Sequence, residues 1–260
     1  MDVLASVDGT IGPADAMTVP VTDEGLLRGD GVFEVARLYA GRFFAWDEHV
    51  ARLVRSAANV RLEFDLDAAL AEVAALVERA GAVDGTVRLL ITRAGRRVAL
   101  LSPLKPVAPT VTLATVEYAP TRVLNEVKSL SYAANMQATR LAREAGADDS
   151  LLVTPDGRVL EESTSAFFYA LAGHLHTAPL TDHVLDSISR RHLLAVTGAT
   201  ERSLTRAELA DVEEAFLAST TREVQPASAV DGRALPAAPG PLTTAAAEAL
   251  RRYINERVGR

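Results

Sequence analysis

The sequence contains no cysteine, and that absence excludes several kinds of chemistry at once. Without a thiol the chain can form no disulfide, no thiolate metal site and no cysteine nucleophile. It also lacks any apolar run long enough to span a bilayer, and Met1-Asp2-Val3 does not begin a basic signal region. We therefore expect a cytoplasmic protein that does not associate with membranes.

Excess positive charge is absent as well. The formal net charge is −7, so the chain lacks the basic electrostatic footprint of a nucleic-acid-binding protein. Hydrophobic residues make up 48% of the chain and charged residues 23%, which excludes gross disorder. The 260 residues allow one large domain or two modest ones, with a sizeable core.

Lysine is nearly missing. Of the 27 lysines and arginines only two are lysines, Lys105 and Lys128. A GC-rich genome, which favours arginine codons, explains the general bias. Lys105 lies in a proline-flanked loop, whereas Lys128 precedes a helix-forming run of small residues. Arginine cannot replace lysine where chemistry needs a neutral amine, because a guanidinium stays protonated while a desolvated ε-amine can form a Schiff base. Lys128 is therefore a candidate catalytic residue.

Alternation and helical periodicity predict an α/β first half. The predicted elements are a strand over 32–39 with a hairpin partner over 42–46, a helix capped by Asp47, a helix over 67–80, and strands over 86–92 and 110–118 separated by an arginine-rich loop. We place an interdomain linker at 120–124. It divides the chain into a small N-terminal α/β domain, residues 1–119, and a larger C-terminal domain, residues 125–260.

The second half is denser in β-hairpins. The predicted elements are hairpins over 150–161 and 165–177, a helix from Ser187 that ends before Gly198, a short apolar strand over 215–218, and an amphipathic helix over 243–258. The helix at Ser187 presents free N–H groups at its positive end, which is typical of an anion site as well as of an ordinary capped helix.

Two adjacent glutamates follow the strand at 158–160. Alternation indicates that one of Glu161 and Glu162 points inward, where a carboxylate must be paired to remain ionised. A protonated pyridine nitrogen is one such partner. An amine, an anion site and a buried carboxylate together suggest pyridoxal phosphate as the cofactor.

Several ordered blocks extend this interpretation to a family. They are Arg28-Gly29-Asp30-Gly31-Val32-Phe33-Glu34-Val35, Glu48-His49-Val50-Ala51-Arg52-Leu53, Val127-Lys128-Ser129-Leu130, Gly146-Ala147-Asp148-Asp149-Ser150, Val159-Leu160-Glu161-Glu162-Ser163-Thr164-Ser165, Val184-Leu185-Asp186-Ser187-Ile188-Ser189-Arg190 and Ser219-Thr220-Thr221-Arg222-Glu223-Val224. With these blocks the chain resembles class-IV (fold type IV) pyridoxal-phosphate enzymes, which include branched-chain and D-amino-acid aminotransferases and 4-amino-4-deoxychorismate lyase. The resemblance implies an α+β fold of two domains, a small α/β sandwich and a larger β-barrel-like domain surrounded by helices.

The resemblance also implies roles for individual residues. Lys128 would form the Schiff base and shuttle the proton, and Glu161 would bond the pyridine nitrogen. Tyr132 would lie near the phenolic oxygen of the cofactor. The phosphate would be held by Arg52, Thr220 and the backbone amides of Ile188 and Ser189. No metal is expected, because His174 and His176 lack a third ligand.

Three observations qualify these roles. Ser131 and Glu162 depart from the asparagine and from the glycine or alanine of many members, and Glu162 adds a charge near the site. Periodicity places Arg52 opposite the apolar stripe of its helix, which in an isolated domain indicates a solvated arginine. The loop arginines Arg96 and Arg97 either bind a substrate carboxylate, as in D-amino-acid-type members, or are simply solvated.

The reaction follows from the strand after Gly31. Phe33, Val35 and Arg37 share one face by alternation, and the homologous face lines the substrate pocket in the family. Val35 cannot supply the hydroxyl hydrogen bond of the threonine found in the lyases, so an aminotransferase is favoured. The alternatives are the lyase, which makes 4-aminobenzoate and pyruvate, and a non-enzymatic binding protein. Retention of Lys128 and Glu161 disfavours the binding protein.

The substrates and the assembly are predicted more coarsely. Arg96 and Thr221 join Phe33, Val35 and Arg37 as predicted substrate contacts, and the partners are an amino donor and a 2-oxo acid acceptor. A homodimer is expected, because family members build each site beside a neighbouring subunit and the mean hydropathy is positive, +0.12.

Overall fold

One antiparallel sheet organises the first part of the molecule. The computed structural model describes residues 3–259. Its first sheet has six strands, which are β1 (Leu4–Val7), β2 (Thr10–Pro13), β3 (Gly31–Tyr39), β4 (Arg42–Phe43), β5 (Gly85–Thr92) and β6 (Arg97–Pro103). Their order is β2-β1-β6-β5-β3-β4. The strand predicted over 32–39 and its hairpin partner are confirmed as β3 and β4.

Three helices accompany this sheet, α1 (Glu24–Arg28), α2 (Trp46–Asn59) and α3 (Leu66–Ala80). Alternate residues of β3 and β5 are buried in one core with the apolar faces of α2 and α3, as expected for strands with one covered face. The Asp65 side chain caps α3 by accepting a hydrogen bond from Ala68 N–H, at 2.9 Å. The cap predicted at Asp47 is wrong, because α2 begins at Trp46 and its N-cap residue is Ala45.

The strand β6 was not predicted. Its residues lie between the predicted strands 86–92 and 110–118, where the sequence predicts only an arginine-rich loop. In the fold they pair with β5 on one side and β1 on the other, with Ala99 and Leu101 fully buried. Burial in β6 does alternate, with Val98 and Leu100 partly exposed between the buried residues, but all four residues from Val98 to Leu101 are apolar, so the sequence itself shows no alternation.

A mixed sheet of ten strands forms the second part. The strands are β7 (Val111–Glu117), β8 (Asp149–Val153), β9 (Arg158–Val159), β10 (Ala166–Leu171), β11 (His174–Thr177), β12 (Thr200–Glu201), β13 (Leu204–Thr205), β14 (Glu214–Ser219), β15 (Glu223–Val230) and β16 (Arg233–Ala234). Their order is β12-β11-β10-β14-β15-β7-β8-β9-β13, with β16 on β15. The helices are α4 (Ala133–Glu144), α5 (Ile188–Thr197) and α6 (Pro241–Val258). The predicted hairpins at 150–161 and 165–177 are confirmed.

Contacts divide the described chain into two compact units. The first contains residues 3–105, 126–132 and 257–259, and the second contains 106–125 and 133–256. This division differs from the one predicted at 120–124 for two reasons. The strand β7 pairs with β8 and β15 of the second sheet, whereas the segment around Lys128 pairs with β3 of the first.

Among residues 3–259, no helix combines the length and the apolar character that a bilayer span requires.

Candidate active site

Lys128 belongs to a short extended segment that continues the first sheet. The Phe33 N–H donates to the Lys128 carbonyl at 3.0 Å, and the Leu130 N–H donates to the Gly31 carbonyl at 2.9 Å. The Lys128 N–H donates to Ser56 Oγ of α2 at 3.1 Å. The backbone on both sides of the lysine is thereby fixed to the start of β3 and to α2.

The amine of Lys128 lies against aromatic faces. Its Nζ is 4.6 Å from the centroid of the Phe33 ring and 5.9 Å from that of Tyr132. The two rings meet edge to face, with centroids 5.4 Å apart. This arrangement holds the amine over apolar surface, at a half-buried position.

Gly31 permits this close packing. A Cβ at position 31 would lie 2.4 Å from the Ile91 carbonyl oxygen and 2.6 Å from Leu130 Cδ1. Backbone cannot yield at such distances, so any larger residue would displace the segment that carries Lys128.

Behind Phe33, a buried ion cluster joins β3 to α2. Arg52 Nε donates to Glu34 Oε1 at 2.6 Å and Arg52 Nη2 to Glu34 Oε2 at 2.8 Å, while His49 Nδ1 lies 2.8 Å from Glu34 Oε2. Burial raises the pKa of Glu34, but the hydrogen bonds from Arg52 and His49 outweigh it and bring that pKa down to about 2. Burial lowers the pKa of His49, against the opposing influence of Glu34, so His49 is neutral at pH 7.

Arg52 therefore does not lie where its periodicity indicated. Its side chain is only 5% exposed, although it lies opposite the predicted apolar stripe of α2. That stripe is itself incomplete, because Val54 is 39% exposed. A bidentate carboxylate partner makes burial of the guanidinium possible. The partner, Glu34, comes from a strand that helical periodicity cannot reveal.

The opposite face of β3 carries the predicted substrate residues. Phe33, Val35 and Arg37 alternate with the core residues Val32, Ala36 and Leu38. Arg88 of β5 is the registered partner of Val35, and directly opposite residues share a face. The guanidinium carbon of Arg88 lies 5.0 Å from the centroid of the Phe33 ring.

Arg88 is a candidate functional residue that the sequence reading missed. Lys128 and Arg88 both lie on the Phe33 ring, so a carboxylate bound by Arg88 would lie on the same aromatic side chain as the Lys128 amine. The alternation of β5, with Val87 and Leu89 buried and Arg88 exposed between them, is the signal that could have identified it.

The other predicted arginines have local partners. The Arg37 guanidinium lies over the Tyr39 ring, at 4.5 Å. Arg96 forms ion pairs with Asp8 and, at 3.2 Å, with Asp23. Arg97 Nε donates to Glu72 Oε1 at 2.7 Å.

In the second unit, Glu161 is held by the segment that leads into α5. Its Oε1 accepts a hydrogen bond from the Leu185 N–H at 2.9 Å. Burial and the nearby Glu161 carboxylate both raise the pKa of Tyr118. A half-buried, oriented carboxylate is suited to accept a hydrogen bond from a ring N–H.

The N-terminus of α5 is an anion-binding geometry. Ser187 is the N-cap residue, and its Oγ accepts from the Arg190 N–H at 3.4 Å. Ile188 and Ser189 form the first turn and are buried. The first N–H groups of a helix have no acceptor within the helix, so this turn presents donors and a positive dipole end to an anion.

Thr220 and Thr221 lie in the turn between β14 and β15, which spans 220–222. Ser219 Oγ lies 3.4 Å from Thr221 Oγ1 and accepts from the Arg222 N–H at 3.3 Å. These contacts give the hydroxyl cluster predicted from the sequence a defined turn conformation.

Of the two adjacent glutamates, Glu162 is the more deeply buried, with a side chain 1% exposed. Alternation predicts that one of the two glutamates points inward. The inward residue is Glu162, which is the one that departs from the family pattern. Glu161 is partly exposed.

The histidines of β11 fit a structural role. His176 Nδ1 lies 2.9 Å from Thr200 Oγ1. No group of three or more histidine, aspartate or glutamate side chains among residues 3–259 is placed to hold a metal ion.

The first unit thus contains a lysine amine on aromatic rings, and the second contains an oriented carboxylate and a helix N-terminus suited to an anion. These are the kinds of group that the sequence predicts for a pyridoxal-phosphate enzyme. Comparison with known proteins agrees. Residues 31–230 match the family model described as amino-transferase class IV. The chain belongs to this family.

Relatives support the same assignment. The chain is 32% identical to D-alanine aminotransferase of Bacillus licheniformis, over 91% of this chain and 92% of the relative. It is 30% identical to a putative branched-chain-amino-acid aminotransferase of Methanocaldococcus jannaschii, over 84% of both chains. A hypothetical aminotransferase from Mycobacterium tuberculosis, solved in its PLP-bound form, is 27% identical with a TM-score of 0.87, over 98% of this chain and 100% of that one.

The chain is therefore a class-IV aminotransferase with the two-domain α+β fold expected from its sequence. Aminotransferases of this class depend on pyridoxal phosphate, so the predicted cofactor is confirmed at the level of the family. The predicted enzyme class is confirmed in the same way, and its substrates are an amino acid and a 2-oxo acid. The lyase alternative is not favoured.

Proposed function

We propose that Lys128 is the residue that bonds to the aldehyde carbon of the cofactor and that moves the proton during amino transfer. When bound, the cofactor supplies an electron-withdrawing ring that stabilises negative charge at the α-carbon of the amino acid. The observation that carries the proposal is the amine of Lys128, 4.6 Å from the Phe33 ring centroid on a segment fixed to β3 and α2.

The other residues hold the cofactor by its two ends. Glu161, oriented by Leu185 N–H, keeps the pyridine nitrogen protonated. The phosphate is bound by Arg52, by the N–H groups of Ile188 and Ser189 at the start of α5, and by Thr220. Glu34 fixes the direction of the Arg52 guanidinium. Tyr132, edge-on to Phe33, would lie near the phenolic oxygen of the cofactor.

The outer face of β3 binds the substrate. Phe33 and Val35 provide an apolar wall, and Arg88, the registered partner of Val35, is a cation on the same face for a substrate carboxylate. Arg37, Arg96 and Thr221 remain predicted contacts. Arg96 would have to exchange Asp8 or Asp23 for the substrate, so Arg88 is the stronger candidate.

Covalent trapping tests the role of Lys128. Borohydride treatment of the purified holoenzyme should fix the cofactor irreversibly, and peptide mapping should place it on Lys128. The chain offers a matched control, because Lys105 is its other lysine and is exposed. Lys105→Ala should bind and trap the cofactor normally, whereas Lys128→Ala should not trap it. Label on Lys105 would overturn the proposal.

Half-reactions identify the donor. The purified enzyme is mixed with single D- and L-amino acids, including D-alanine and the branched-chain amino acids, and the cofactor spectrum is followed. Conversion of the cofactor to its amino form identifies a donor. Failure with every amino acid would contradict the proposal that an amino acid is the amino donor.

We further propose that the enzyme is a cytoplasmic homodimer of C₂ symmetry, the commonest closed arrangement. Light scattering that finds a fully active monomer would contradict the dimer, and cell fractionation tests the location.

A further inference from the structure

A buried carboxyl pair with a single arginine lies in the second unit, beside Glu161 in sequence. Glu162 and Asp149 have side chains only 1% and 8% exposed. Arg222 Nη2 donates to Asp149 Oδ2 at 2.7 Å and lies 3.8 Å from Glu162 Oε2. One cation thus faces two buried acids, which come from β8 and from the connection between β9 and β10.

The two acids differ in the hydrogen bonds that they accept. Asp149 accepts from Arg222, from Thr139 Oγ1 at 3.1 Å and from the Ser150 N–H at 3.1 Å. Glu162 Oε2 accepts from the N–H and hydroxyl of Thr164, at 3.0 and 2.9 Å. Glu162 Oε1 is buried and has no hydrogen-bond partner as an acceptor. A proton on this oxygen would turn it into a donor to Asp149.

The charge balance agrees with a protonated Glu162. Burial raises the pKa of Glu162 to about 8, and the charge of Asp149 adds to the increase while Arg222 opposes it. Asp149 and Arg222 are the charged groups that act on it most strongly. At neutral pH the cluster therefore holds one ion pair and one neutral acid, with no uncompensated charge.

Arg222 also belongs to the turn that carries Thr220 and Thr221. Its Nη1 donates to Gln225 Oε1 at 2.9 Å, so the guanidinium ties the turn both to β15 and to Asp149 at the start of β8. Movement of Asp149 away from Arg222 would release one of the two anchors of this turn.

We propose that Glu162, as a neutral carboxylic acid, is a positioning residue that holds the Asp149–Arg222 ion pair and thereby the turn with Thr220 and Thr221. The inference rests on the proposed function, in which Thr220 contacts the phosphate and Thr221 the substrate. Glu162 itself is not proposed to contact the phosphate or the substrate. When Glu162 ionises, two buried carboxylates compete for the Arg222 guanidinium, and Arg222 no longer anchors the turn to Asp149. We therefore expect cofactor affinity to fall as the pH rises and Glu162 ionises.

Titration of cofactor affinity tests the proposal. The dissociation constant for pyridoxal phosphate is measured by absorbance from pH 6.5 to 9.5 on wild type, Glu162→Gln and Glu162→Ala. Glutamine can donate to Asp149 and accept from Thr164 but cannot ionise. We expect wild-type affinity to weaken by up to about tenfold per pH unit above pH 8 relative to Glu162→Gln, as for loss of one linked proton. The alanine variant should be weak at every pH.

A second measurement separates this inference from the proposed function. Urea unfolding of the cofactor-free proteins across pH 5 to 9 should show a decline in wild-type stability that Glu162→Gln lacks. Glu208→Gln, which breaks the Arg202 pair elsewhere in the same unit, is the control and should retain the wild-type pH dependence.

The outcomes are distinct. Parallel wild-type and Glu162→Gln profiles in both measurements would overturn the inference. A difference in unfolding without any difference in cofactor affinity would show a neutral Glu162 that does not position the turn, which also overturns it. If wild type bound no pyridoxal phosphate, the proposed function would fail, and the unfolding profiles would still report on the charge of Glu162.

Discussion

Replacing Glu34 by glutamine should destabilise the first unit while leaving the shape of the side chain nearly unchanged. The substitution removes the charge that Arg52 and His49 share behind Phe33. Arg52 would then be a buried cation without its carboxylate, and losing one partner of a buried ion pair costs about 3–5 kcal/mol.

The pKa of Glu34 gives a second, independent magnitude. It lies at about 2 in the fold, compared with 4.5 for the free group. At about 1.4 kcal/mol for each pKa unit, this difference corresponds to roughly 3–4 kcal/mol of stabilisation. Because the folded pKa is lowered, this contribution is fully present above pH 4.5 and is lost as the pH falls through 4.5 towards 2.

A single tryptophan provides an intrinsic fluorescence probe of the first unit. Trp46 is the only tryptophan of the chain, and it begins α2, the helix that carries His49 and Arg52. It stacks on Phe43 with ring centroids 4.4 Å apart, so its fluorescence should change when the first unit unfolds. We expect the urea midpoint of Glu34→Gln at pH 7 to fall well below that of wild type.

The control and the refuting result are well defined. Glu78→Gln, at an exposed position of α3, should leave the midpoint near that of wild type. The two curves for wild type and Glu34→Gln should converge as the pH falls from 4.5 to 2. An unchanged midpoint at pH 7, or a constant separation down to pH 2, would show that the charge of Glu34 does not stabilise the unit.

Three further predictions concern catalysis. Glu161→Gln should retain the cofactor and lower kcat, because a ring-nitrogen contact strengthens in the transition state; a wild-type rate would contradict that role. With Val35 in the pocket, the enzyme should form no 4-aminobenzoate from aminodeoxychorismate, and sustained production at an enzymatic rate would restore the lyase alternative. Arg88→Leu should raise KM for the carboxylate substrate about 10- to 100-fold, as expected for a lost charged hydrogen bond of about 1.5–3 kcal/mol, whereas an unchanged KM would move the carboxylate site elsewhere.

Local patterns predicted much of the fold, because alternation and periodicity depend on neighbours a few residues away. The strand β3, the helix α3 and the hairpin from β10 to β11 all follow from such patterns. The central strand β6 was not predicted because Val98 to Leu101 form an unbroken apolar run, which hides the alternation seen in its burial. The division into units also differs from the predicted one, because it depends on pairings such as Phe33 with Lys128, which lie far apart in sequence.

The site was predictable where a residue's chemistry is unusual and less so where it depends on a distant partner. Lys128 was singled out by the scarcity of lysine together with its position before a helix-forming run, and its role was predicted from the family resemblance. The environments of Arg52 and Glu162 were not predictable from their own segments, because Glu34 and Arg222 come from other elements. Arg88 could have been identified from the alternation of β5, had its register with Val35 been known.

The route of the chain through the two units constrains how this enzyme can be cut or recombined. Residues 3–103 contain every strand of the first sheet, yet Lys128 and the C-terminal residues 257–259 complete that unit from elsewhere in the chain. Arg42 Nη1 donates to the Val258 carbonyl at 3.2 Å, which ties the end of α6 back to the edge strand β4. A fragment ending at residue 125 would contain the whole first sheet but would lack Lys128. Neither unit is thus a continuous module that a single crossover between two related genes could exchange intact.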